Sequence, residues 1–118
     1  MMIKCKRVYD PVADDDGYRV LVDRLWPRGI KKTDLQHDEW NKDVAPTNEL
    51  RKWFHQHTDQ FVQFTEHYLQ ELNHTTAWQP LVSQAKQGSL TLLYSAKDTQ
   101  HNQAIILKAF IEQKMQNS

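Results

Sequence analysis

With one cysteine, Cys5, the chain has no second thiol for an intrachain disulfide. That fits a reducing compartment. No stretch approaches the roughly 20 apolar residues that a membrane-spanning helix needs. The N-terminal segment lacks the apolar core of a signal peptide, so a cytoplasmic location without membrane attachment is expected. Neither sign of charge is in excess, because 15 Lys and Arg balance 15 Asp and Glu. A dedicated duplex-binding domain would usually be basic, which leaves nucleic acid a possible partner but not the favoured one. There is no Gly-rich phosphate loop and no serine in a nucleophile elbow. His55, His57, His67 and His74 have no zinc-site spacing. Asp14, Asp15 and Asp16 before Gly17 lack the alternating ligands and distal glutamate of a calcium loop. No metal and no cofactor are expected.

What is present fits one domain spanning residues 1–118, long enough for a modest core. The most informative stretch is Tyr18 to Gly29, YRVLVDRLWPRG. Val20, Leu21 and Val22 form an apolar run without polar alternation, the pattern of a strand buried on both faces of a parallel sheet. Asp23 and Arg24 break that run. In open α/β sheets, ligands bind beyond the carboxyl ends of strands. Asp23 offers an acceptor or base. Arg24 and Arg28 offer planar forks suited to carboxylate or phosphate, and Trp26 a stacking face. The bland alternative pairs Asp23 with Arg24 or Arg28 merely to brace the corner.

This corner does not stand alone. LVDRLWPRG is followed by Lys42-Asp43-Val44-Ala45-Pro46, Glu49-Leu50-Arg51-Lys52-Trp53-Phe54 and Leu92-Leu93-Tyr94-Ser95-Ala96-Lys97-Asp98. In that order, over nearly the whole chain, these segments resemble the YeaO-like family of small bacterial proteins. That family lies within a wider domain family of unknown function (DUF488). The resemblance implies a fold and no activity. It also implies that the first two strands are parallel, with the crossover helix cut away, although the short loop Pro11 to Gly17 would by local rules favour a hairpin. In longer relatives the last strand is followed by a Cys-His-Arg segment. The similar region here reads His101-Asn102-Gln103, so thiol chemistry is not carried over.

Taken in order, Ile3 to Val8 reads as a strand with Ile3 and Cys5 inward and Lys4 and Lys6 outward, the lysines on a solvated mixed surface. Cys5 reads as a small core residue. Ile30 to Pro46 is a long polar connection with a short extended piece around His37 to Asn41. Such connections are often functional or packed on their own side chains. Thr47 is positioned to cap a helix bearing Leu50, Trp53 and Phe54 on one face. Asp59 is positioned to cap a second, with Phe61, Phe64, Tyr68 and Leu72 inward. A third is expected over Thr75 to Gln87 with Gly88 as its stop, then a strand Ser89 to Tyr94 and a helix from about Asn102 to Gln116.

The fold class expected is α/β, a small, mainly parallel sheet flanked by about four helices in a single three-layer domain. Parallel strands bring Asp23-Arg24 and Tyr94-Lys97-Asp98 to one sheet edge, where the start of the last helix favours an anion. Asp23, Asp98 and Tyr94 are the candidate acid–base groups. Arg24, Trp26, Arg28, Arg51 and Lys97 are the candidate binding groups for a small anionic, phosphate- or nucleotide-like ligand. Ser95 reads as a polar loop residue. A small enzyme ranks first on this reading, then a ligand-sensing module without turnover, then a nucleic-acid-associated protein.

Overall fold

A computed structural model of the chain describes residues 2–117. Its four-stranded sheet has the order β1-β4-β2-β3, with β1 Ile3–Arg7, β2 Tyr18–Leu21, β3 Glu39–Trp40 and β4 Leu90–Tyr94. Every pairing is parallel. β1 and β2 are therefore parallel, as the family resemblance implied, and are separated by β4 rather than joined in a hairpin. β4, the central apolar run, is buried at every position. Val8 and Val22 extend their strands by one further bond each, to Tyr94 and Leu93 carbonyls.

The four helices are α1 Asn48–Gln56, α2 Phe61–Asn73, α3 Gln79–Gln87 and α4 Gln103–Gln116. Thr47 caps α1 by accepting from the Leu50 amide, and Asn102 caps α4 by accepting from Ile105. Asp59 does not cap α2. Gln60 occupies the cap position and makes no side-chain bond there. α3 starts four residues later than expected. Pro80 has no N–H and is confined to the first turn, so Thr75 to Trp78 form a separate turn, held by Trp78 Nε1 on the Leu72 and Thr75 carbonyls.

Period-two alternation sorts the strand residues between two cores. Val20, Val22, Leu92 and Tyr94 pack with residues of all four helices, including Leu50, Phe64, Tyr68, Leu81, Leu107 and Phe110. Leu21, Leu93 and Val8 pack instead with Leu35, Trp26, Ile30 and Trp40. The long connection after β2 is thus the layer opposite the helices, built around its own tryptophans. Cys5 sits on the helix side, donates to the Ala104 carbonyl, and has its thiol pushed up to about 11 by burial.

Lys4 and Lys6 depart from the solvated surface expected of them. Both are half-buried and both reach Asp16, at 3.0 Å in each pair. Arg19, 5% exposed, joins them on the same carboxylate. Asp16 is 1% exposed. Burial alone would push its pKa up. The Ala13 amide and the Lys6 and Lys4 ammonium groups outweigh that and hold it well below the usual carboxylate range. Gly17 follows with φ +67°, and a Cβ there would lie 2.1 Å from the Ser89 carbonyl oxygen. Only glycine fits this close approach.

Candidate functional site

At the carboxyl ends of β2 and β4, a crevice of about 570 Å³ opens between the Asp23–Arg28 corner, the Ser95–Asp98 turn, the first residues of α4 and one face of α1. Asp23, Arg24, Trp26, Arg28, Arg51, Lys97 and Asp98 all line it. Tyr94 does not. It is 2% exposed and packed in the helix-side core, and burial pushes its phenol pKa up.

Asp23 is the pivot of the crevice floor. Its Oδ2 accepts from the Ser95 amide at 3.0 Å and the Ser95 hydroxyl at 2.7 Å, and its Oδ1 accepts from the Gln103 amide group. Burial raises its pKa. The Ser95 and Gln103 bonds oppose that rise, as does the positive charge of Arg51. Asp98 is differently placed. Its Oδ1 accepts from the Gln100 and His101 amides, and its Oδ2 pairs with His101 Nδ1 at 3.0 Å. The backbone bond from Gln100 and the His101 contact lower its pKa.

Arg24 neither pairs with Asp23 nor stands free. Its Nε donates to the Pro46 carbonyl at 2.9 Å and its Nη2 to Ala45 at 3.0 Å, fastening the β2 corner to the segment that leads into α1. Trp26 donates Nε1 to the Ile30 carbonyl and meets Trp40 edge-on at 5.3 Å, so its ring serves the second core as well as the crevice. Arg28, exposed, and Lys97, exposed, make no hydrogen bond or ion pair from their side chains among the described residues.

Arg51 differs from the other cations. Its Nε is sealed from solvent and, among the described residues, has no hydrogen-bond partner. An unmatched buried donor costs about 1–3 kcal/mol, more when charged. The helix register puts Arg51, Phe54 and His55 on one face of α1, and all three line the crevice.

Several lining residues escaped the sequence reading: Ser95 as a partner of Asp23, and Gln103, Tyr9, His55, Thr58 and His101. Ser95 and Gln103 are bonded to Asp23 over 72 and 80 residues of chain. Only the strand order could have signalled those contacts. Among the described residues, no cluster of His, Cys, Asp or Glu is arranged to hold a metal ion, and no helix is long and apolar enough to cross a membrane.

Comparison with known proteins places this geometry in a lineage. Residues 2–118 match the model of a family described as the inactive DUF488-N3 subclade. The chain belongs to this family. Within reach of it, the uncharacterized protein YeaO of Escherichia coli (strain K12) is 56% identical over 91% of this chain and 94% of its own length. The uncharacterized protein Rv3073c of Mycobacterium tuberculosis is 37% identical over 89% of each chain, as is Mb3100c of Mycobacterium bovis. No solved structure matches. Family membership thus agrees with the resemblance of the LVDRLWPRG and LLYSAKD segments, and the relatives named here are described as uncharacterized.

Proposed function

We propose that the crevice is a binding site for a small anionic ligand and that it binds without turning the ligand over. The observation that carries this reading is Arg51, a half-buried arginine that lines the crevice and makes no hydrogen bond or ion pair from its side chain among the described residues. A partly buried cation without a partner is costly, and an anion in the crevice would pair with its guanidinium. Arg28 and Lys97 add unpaired positive charge at the rim. α4 begins at the same place, and the start of a helix favours negative charge.

Two features favour binding over catalysis. The oxygens of Asp23 and Asp98 are all engaged by hydrogen bonds from their own chain. A general base needs free reach to the proton it takes. The family description, an inactive subclade, points the same way. Nucleic acid fits less well. Lys32 lies over both Trp26 and Trp40, and Lys42 over Trp40, so the chain's own cations occupy the rings that bases would stack on.

The test is thermal denaturation of wild type, Arg28→Ala and Lys97→Ala across a series of anions including phosphate and sulfate. Anions should raise the wild-type midpoint. Both variants should keep their ligand-free midpoint and lose part of the anion response. A wild type indifferent to every anion, with both variants clearly destabilised, would leave a structural charge network in place of a site.

A further inference from the structure

We infer that the ligand is an organic anion with a planar apolar body, its charged head at Arg51 and its ring against Phe54. This deepens the anion-binding reading and rests on it. The crevice is not uniformly polar. Phe54 lies three residues after Arg51 on α1, lines the crevice and is half-buried. Its ring stacks on Phe64, with centroids 4.2 Å apart and planes 15° apart. Phe64 is 2% exposed and anchored in the core, so this aromatic wall is fixed before any ligand arrives.

Apolar groups also stand at the mouth, beside Arg28 and Lys97. Leu25 is 55% exposed and Tyr9 46% exposed, and both line the crevice. Single exposed apolar residues are ordinary, but apolar groups gathered around one concavity mark a binding surface. A tetrahedral inorganic ion has no apolar surface for Phe54 and Leu25 to cover. The volume of about 570 Å³ falls within the roughly 300–1,000 Å³ of small-molecule sites. Carboxylate and phosphate monoester heads both satisfy a guanidinium. Their shared chemistry is a compact anion joined to a flat apolar group, and the two can be told apart by measurement.

Isothermal titration calorimetry of the full chain with inorganic phosphate, methyl phosphate and phenyl phosphate, and with acetate and benzoate, tests this. Within the head-group class that binds, the ring-bearing member should bind at least about tenfold more tightly than its ring-less counterpart, the gain from burying one apolar ring. Phe54→Leu should remove most of that gain and leave the ring-less affinity within about twofold. If Phe54→Leu does not fold, Leu25→Ser at the exposed lip gives the same reading, a reduced ring gain. Equal affinity for ring-bearing and ring-less anions, or a ring gain untouched by these substitutions, overturns the inference and leaves the anion site standing. No binding of any of the five compounds overturns both.

Discussion

Ser95 holds Asp23 twice on the same oxygen, through its backbone N–H at 3.0 Å and its hydroxyl at 2.7 Å. The pair ties the end of β2 to the end of β4 and fixes the crevice floor. It also compensates, in part, a carboxylate that burial disfavours as an anion. A floor held this firmly suits a site that positions a ligand rather than one whose carboxylate must swing to take a proton.

The raised pKa of Asp23 sets the sign of its linkage. The folded state takes up this proton more readily than the unfolded chain, whose aspartates titrate near about 3.9. The penalty for the charged form is therefore fully present above the folded pKa and disappears as pH falls through the folded pKa to the unfolded one. Asp23→Asn should have a thermal midpoint equal to or above wild type near neutral pH, because Asn accepts from Ser95 and Gln103 can turn its carbonyl to meet the new amide. The difference should shrink as pH falls toward about 4 and be gone below it. A variant less stable than wild type at neutral pH, with no pH dependence to the difference, would contradict this assignment.

Asp16 has the opposite sign. Its folded pKa lies well below the usual range, so its stabilisation is complete above the unfolded value of about 3.9 and is lost as pH falls through the folded one. Asp16→Asn leaves Lys4, Lys6 and Arg19 without their common carboxylate. It should cost about 2–4 kcal/mol in denaturant unfolding near neutral pH, less than a wholly buried pair because the lysines keep some contact with water. The variant's stability should also fall less steeply under acid than wild type. Equal acid profiles would show that Asp16 is not the group that titrates.

These contrasts show what the sequence carried. β4 was legible because Leu90, Leu92 and Leu93 make a nearly continuous apolar run, and the crevice because both central strands lead into charged residues. Yet a run buried on both faces conceals which face each residue takes. Tyr94 shares the parity of Leu92 and turns into the helix-side core, while the polar groups just beyond it line the crevice. Arg24 looked like a free binding group because its partners, the Ala45 and Pro46 carbonyls, are brought near only by the fold. The Lys4, Lys6 and Asp16 cluster was hidden for the same reason, since β1 and the loop after it meet only when the chain wraps over the sheet.

Leu92 and Phe110 anchor opposite sides of the helix-side core, at 0% and 6% exposure. Truncating either to alanine should cost about 2–5 kcal/mol through lost burial and the cavity left behind. Chemical denaturation checks this. A loss smaller than one buried methylene, about 0.8 kcal/mol, would place the core elsewhere.

Arg51→Gln tests the central claim most directly. Calorimetric titration with phenyl phosphate should show binding to wild type and at least about tenfold weaker binding to the variant. The ligand-free variant should fold with a midpoint close to wild type, the relief of an unmatched half-buried cation offsetting the lost attraction to Asp23. Undiminished binding by Arg51→Gln, or a marked loss of stability with no ligand bound by either protein, would show that Arg51 belongs to the scaffold and that the crevice is not an anion site.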